Sequence, residues 1–256
     1  MKTLIGVNTL ESVHSFVYAS HCQFHSQIRK DYPKEDFLLY TPYRMSIDAM
    51  RNDAARIAIE QKCDYLMFID DDVAVQPNTY KALRDRDKDI IMAATLVRGY
   101  PFHPMWFSDF ETIDQANGTI RKNLKFHDEW EKDLITEGPD AGLVKTGAVG
   151  FSCVLIKTDV LRAMTPPWFV TGPGHTEDVY FCLRARAELE PEPGIYVDTK
   201  ISTSHMLMPD LVSLENVEKL REFYKPDLER SGGLEQFRMK LHLKNIIQEL
   251  SPEEVA

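Results

Sequence analysis

The chain has 256 residues, 43% hydrophobic and 27% charged, and its 30 basic and 40 acidic side chains give a formal net charge of −10. This is a globular composition, sized for one large domain or one domain with a small appendage, and it excludes a coiled coil, a collagen-like repeat or a wholly disordered chain. The acidity argues against nonspecific polyanion binding, and apolar runs such as 65–69 and 149–156 fall far short of the ~20 residues a bilayer requires.

In chain order, Thr3 to Val7 reads as a first strand. Ser12 is placed to cap a helix in which Val13, Phe16, Val17, Phe24 and Ile28 partly follow helical spacing. Asp36 to Tyr40 reads as a second strand. Ser46 caps the next helix, with Ile47, Met50, Ala54, Ile57 and Ala58 on one face. The run from Asp64 to Ile69 suits a strand buried on both faces and ends abruptly in Asp70, Asp71 and Asp72. Pro77 opens a short helix to about Arg86, and Asp89 to Thr95 is another buried strand. This alternation predicts an α/β domain with a mostly parallel central sheet flanked by helices. Such sheets bind ligands beyond the carboxyl ends of their strands, where the three acids lie.

The middle is less regular. Residues 101–110 are aromatic-rich, Asn117-Gly118 marks a hairpin turn between Ile113 and Ile120, and 121–142 form no assignable element. Phe151 to Ile156 is a strand, Thr158 caps a short helix, and a Gly/Pro loop over 171–176 leads into a helix from Glu177 to Ala187. Ile195 to Val197 is a short strand, and two helices follow at roughly 213–223 and 234–250. The four cysteines (Cys22, Cys63, Cys153, Cys182) form no CxxC pair and read as reduced packing residues. The apolar stretch at the N-terminus is too short for a secretory leader, so a cytoplasmic location is expected.

Three constellations carry chemistry. Strand side chains alternate, so Asp70 and Asp72 share a face. Their charges repel unless a cation joins them, and hard oxygen ligands suit Mg2+ or Mn2+. The structural alternative is a solvated acidic turn capping the next helix. An EF-hand is excluded, because the acid needed two residues after Asp72 is Ala74. In Gly174-His175-Thr176-Glu177-Asp178 two acids open a helix, which is also ordinary capping. The third is Ser204-His205-Met206, after a short strand.

In this order and spacing the set resembles the GT-A fold of nucleotide-sugar glycosyltransferases, in particular family-2-like inverting enzymes of the short, stand-alone phage or bacterial type. Residues 65–72 match the strand leading into the DxD motif. Gly147 to Phe151, with the apolar residues 153–156, looks like the glycine-containing strand entry beside the donor sugar. Thr176-Glu177-Asp178 matches the TED form of the xED motif, and Met50-Arg51-Asn52 to Ala55-Arg56 is similar to the helix before the DxD strand. The resemblance covers roughly residues 3–206. It implies a catalytic domain over 1–210 and a C-terminal helical extension over 211–256, in the host cytoplasm if a phage encodes it.

The resemblance further implies a nucleoside diphosphate sugar as donor, with UDP as the default nucleotide. Mn2+ or Mg2+ would be held by Asp70, Asp72 and His205. Asp178 would be the catalytic base, with Glu177 orienting the acceptor or supporting the base. Thr9, Arg51, Asp70, Asp71, Gly147 and Gly150 would contact the donor. His103 and Trp106 could stack on an acceptor sugar. Arg238, Lys240, His242 and Lys244 read as a solvated helix face or as a contact to a polyanionic acceptor, and the acceptor would be a glycan or a hydroxymethylated base in DNA. Two other classes stay open: a sugar-phosphate nucleotidyltransferase, disfavoured because Gly6 is the only glycine before Gly99, and a non-catalytic metal- or nucleic-acid-binding protein.

Overall fold

A computed structural model describes residues 1–9, 12–114, 120–207, 210–222 and 225. The chain runs β1 (Lys2–Asn8), α1 (Ser15–Asp31), β2 (Asp36–Tyr40), α2 (Ile47–Glu60), β3 (Tyr65–Asp70), β4 (Val73–Ala74), α3 (Thr79–Asp85) and β5 (Ile90–Ala94). An insertion follows, with β6 (Trp106–Asp114), β7 (Ile120–Phe126), a 3-10 turn (Trp130–Asp133), β8 (Leu143–Lys145) and β9 (Ala148–Val149). Then come β10 (Cys153–Lys157), α4 (Thr158–Ala163), α5 (Glu177–Glu188), β11 (Ile195–Ser202), β12 (Ser204–Leu207) and β13 (Asp210–Val212).

Seven strands form the central sheet in the order β2-β1-β3-β10-β5-β11-β8. β2, β1, β3, β5 and β11 run one way, while β10 and β8 oppose them. The expected mostly parallel α/β sheet is therefore present, with an antiparallel strand at its centre. Period-two alternation sorts the strand residues into two apolar layers. Leu4, Leu66, Phe68, Met92 and Ile156 face α2, α4 and α5. Ile5, Met67, Ile69 and Ile91 face Phe24 and Ile28 of α1 and Tyr80 and Leu83 of α3. Each fully buried large apolar side chain contributes about 1.5–3 kcal/mol, so both faces fix the register of β1 on β3.

Two smaller sheets flank this core, β13-β12-β4 and β7-β6-β9. The first joins the chain after β11 to the segment after Asp72. A third apolar cluster, Leu96, Phe102, Val212 and Val217, packs the loop after β5 against the C-terminal segment, where residues 217–222 are helical. The boundary expected at 210/211 falls inside β13. The expected helix at 234–250 and the basic residues Arg238, Lys240, His242 and Lys244 lie outside the described residues, as does the Asn117-Gly118 turn, although β6 and β7 pair antiparallel on either side of it.

Several local expectations are corrected. The N-cap of α1 is His14, whose ring Nδ1 accepts from the Phe16 amide at 3.3 Å, rather than Ser12. The buried stripe of α1 is Val17, His21, Phe24 and Ile28, which leaves Phe16 exposed. Thr158 is the first residue of α4, and its cap is Lys157. All four cysteines are free and three of them are buried. Among the described residues no helix is long and apolar enough to cross a membrane.

Candidate functional site

β1 and β3 end side by side, with Asn8 and Asp70 as register partners. By strand alternation both project to the layer that holds α2 and α5. Arg51 on α2 is 3% exposed and lies between two motifs. Its Nη2 donates to Asp70 Oδ1 at 3.3 Å, and its Nη1 is 3.2 Å from Glu177 Oε1. The guanidinium carbon sits 5.4 and 5.3 Å from the ring centres of Phe68 and Phe151. One buried cation thus ties the end of β3 to the start of α5. Burial pushes the Asp70 carboxyl up to about 6, with Arg51 pulling it down and Asp72 adding to the rise. Burial likewise raises Glu177, against the opposing pull of Arg51.

Asp72 lies beyond the strand, in the turn to β4. β12 pairs antiparallel with β4 and sets His205 opposite Val73, which brings His205 Nε2 to 3.4 Å from Asp72 Oδ2. The same oxygen accepts from Arg98 Nη1 at 2.6 Å. Burial pushes Asp72 up, but His205 and Arg98 outweigh it and hold the carboxyl below its ordinary range. His205 Nδ1 is 2.9 Å from the Leu96 carbonyl. A carbonyl only accepts, so Nδ1 carries a proton, and Nε2 is the ring nitrogen turned toward the carboxylate. Asp72 Oδ2 and His205 Nε2 are the oxygen and the nitrogen in this turn that could take part in holding a divalent cation. Asp70, expected to share such an ion, has Oδ1 engaged by Arg51. Among the described residues no group of three or more His, Cys, Asp and Glu side chains is gathered to hold a metal.

Asp178 opens α5. Its Oδ1 accepts from the Val179 amide at 2.8 Å and from the Thr176 hydroxyl, and its Oδ2 accepts from the Phe151 amide at 3.2 Å. A carboxylate has about four acceptor positions, so three bonds fix its orientation and leave one position open. Gly174 in the preceding loop has φ +86°, a conformation that side-chain-bearing residues adopt only with strain. Asn52 anchors the start of that loop: Oδ1 accepts from the Trp168 and Phe169 amides at 2.9 and 3.2 Å, and Nδ2 donates to the Phe169 carbonyl at 2.6 Å.

A cleft of about 370 Å3 brings the two acidic motifs together, lined by Asp70, Asp71 and Asp72, by Thr176, Glu177 and Asp178, and by Asn8 and Arg51; His205 and Arg98 reach Asp72 from outside that lining. Other expected residues lie elsewhere. Thr9 bridges to Tyr43, and it is Asn8 that lines the cleft. Asn8 is 5% exposed, and neither its amide oxygen nor its nitrogen has a partner among the described residues. The signal for it was in the sequence: a polar residue ends an apolar strand, as Asp70 does in β3. Gly147 and Gly150 serve packing. A Cβ at Gly147 would meet the Phe107 and Ser108 carbonyls at 3.3 Å, and one at Gly150 would meet Met105 at 2.8 Å. Trp106 is fully buried against Trp130 and is closed to any sugar. His103 stacks on Phe126 with centroids 4.4 Å apart and pairs with Asp128 at 2.7 Å, away from the cleft lining.

No protein-family model matches the chain, and no curated protein sequence does. Among solved structures, the chain is similar to A197 from STIV, with a TM-score of 0.50 and 18% identity over 81% of this chain and 86% of that one. That likeness shows a shared fold. S. aureus TarS (1-349) has a TM-score of 0.42 and 14% identity over 78% of this chain and 60% of that one. UDP-glucose pyrophosphorylase complexed with UDP-glucose has a TM-score of 0.43 and 7% identity over 88% and 98%.

Proposed function

We propose that the chain is a metal-dependent inverting glycosyltransferase that moves a sugar from a nucleoside diphosphate sugar, by default a UDP-sugar, to an acceptor hydroxyl on a glycan or a hydroxymethylated DNA base. The single observation that carries this reading is the shared cleft, in which Asp72 and Asp178 arrive from separate motifs and face one volume. Asp72 and His205 would hold Mn2+ or Mg2+, which when bound supplies Lewis-acid stabilisation of a departing diphosphate.

The chain's own groups do the rest. Asn8 offers one donor and one acceptor to the nucleotide at the end of β1. Arg51 holds Asp70 and Glu177 in place and shields their charges from each other. Asp178 accepts the acceptor's proton as its oxygen bonds to the anomeric carbon and the bond to the phosphate oxygen breaks. Attack by the acceptor itself, with no enzyme nucleophile, inverts the anomeric centre.

The test is a screen of nucleotide-sugars with Mn2+, reading release of nucleoside diphosphate. Release from at least one donor, lost in Asp72→Ala, is the expected result. Pyrophosphate formed from a nucleoside triphosphate and a sugar 1-phosphate would replace this reading with nucleotidyl transfer. Salt-dependent DNA binding without turnover, surviving loss of both Asp72 and Asp178, would replace it with a binding protein.

A further inference from the structure

The acids of the cleft pose a charge problem. Five carboxyl groups line it (Asp70, Asp71, Asp72, Glu177 and Asp178) against one arginine, Arg51. Arg51 is buried and engaged by two of those carboxylates. A diphosphate entering such a cleft meets net repulsion unless further positive charge comes with it. Arg98 is the cation placed to respond. Its guanidinium is 2.6 Å from Asp72 Oδ2, the oxygen that also faces His205, yet its side chain is 62% exposed.

The loop carrying Arg98 is held at its base. Leu96 bridges to Pro104, the Val97 amide donates to the His103 carbonyl at 2.8 Å, and the Phe102 amide donates to the Gly99 carbonyl at 2.8 Å. Arg221 donates to the Pro101 and Phe102 carbonyls at 2.8 and 3.3 Å. The backbone is thus pinned, while the long Arg98 side chain can swing about its own torsions. A guanidinium and a divalent ion drawn to the same Asp72 oxygen repel each other, so each weakens the other's hold on it. Displaced from it, the planar fork of Arg98 matches phosphate oxygens in pairs.

We propose that Arg98 is a phosphate-binding residue of the donor site, held on Asp72 in the free protein and exchanged onto the donor's diphosphate when a divalent cation takes Asp72. The proposal rests on the nucleotide-sugar reading, and it makes Arg98 both a competitor of the metal and a ligand of the nucleotide. These two roles move two affinities in opposite directions, which a merely structural ion pair does not do.

The test measures binding on the full chain, without turnover. Free Mn2+ is followed by electron paramagnetic resonance with the metal alone, and UDP binding is followed by calorimetry at saturating Mn2+. Arg98→Gln is expected to tighten Mn2+ about two- to fivefold, the range of an exposed ion pair, and to weaken UDP about tenfold. Arg98→Lys keeps the charge but loses the fork, so it should leave Mn2+ near the wild-type value and recover only part of the UDP affinity. An Arg98→Gln protein whose Mn2+ affinity is unchanged or weaker, or whose UDP affinity is unchanged, overturns the exchange while the function reading stands. A wild-type protein that binds neither Mn2+ nor any nucleoside diphosphate overturns both.

Discussion

Replacing Arg51 by methionine removes the charge that joins Asp70 to Glu177 while keeping most of the apolar stem. Arg51 is 3% exposed, and the side chains of its partners are 25% and 7% exposed. Breaking a buried ion pair by removing one member costs about 3–5 kcal/mol, because the orphaned charge stays behind. Asp70 is partly open to water, which places the loss at the lower end, about 3–4 kcal/mol. At roughly 2–4 °C per kcal/mol for a chain of this size, the melting temperature should fall by about 6–16 °C.

The deficit should also depend on pH. Burial already raises Glu177 above its ordinary value of 4.5 in the folded protein, and Arg51 pulls it down. Without Arg51 that carboxyl rises further. A folded-state acid with a raised pKa binds more protons than the unfolded chain, so stability increases as pH falls through the folded value toward the unfolded one. The gap between wild type and Arg51→Met should therefore narrow from pH 8 to pH 5. Thermal and urea unfolding in EDTA measure it. A drop below about 3 °C, or a gap of equal size at both pH values, would refute the buried-clamp reasoning.

Asn52→Ala strips three hydrogen bonds from the joint between α2 and the loop at Trp168 and Phe169, and a fourth to the Asp48 carbonyl within α2; urea unfolding should show a loss of about 2–3 kcal/mol, and an unchanged midpoint would contradict that role. His21 is buried, its pKa lowered from 6.5 by burial, with Nε2–H donating to the Val73 carbonyl at 2.9 Å. The unfolded chain therefore binds more protons than the folded one just below pH 6.5, and stability should decline as pH falls from 6.5. In unfolding titrations at pH 7.5 and 5.5, His21→Gln should show a shallower decline, and an identical slope would remove His21 as the cause. Trp106→Phe should leave donor and acceptor KM within about twofold, and a tenfold rise in acceptor KM would return the indole to the sugar.

Much of this architecture can be read in the sequence, for identifiable reasons. The run ending in Asp70–Asp72 is apolar on both faces because β3 lies inside the sheet, and a buried strand cannot end in three acids without a rim to hold them. The Glu177–Asp178 pair could be placed at a helix start because the glycine at 174 marks the turn before it. What escaped depends on tertiary neighbours. β4 has two residues, too few for any periodicity, yet its pairing with β12 is what brings His205 to Asp72. The antiparallel direction of β10 has no local signature. Asn8 and Thr9 differ by one step of strand alternation, so only the register with β3 decides which faces the cleft. Trp106 sits among exposed and buried aromatics of similar composition, and the packing that buries it comes from Val149 and Trp130, far away in sequence. Arg98 carries no pattern at all, since its partner is 26 residues earlier.

The central claim is that Asp178 takes a proton across a cleft whose other side holds the donor. The direct measurement is nucleoside diphosphate release by wild type and Asp178→Asn at saturating donor and Mn2+, with donor Kd determined alongside by calorimetry. The account predicts a rate lower by about 100-fold or more with the donor Kd within about threefold of wild type. An Asp178→Asn protein that releases nucleotide at the wild-type rate would contradict it.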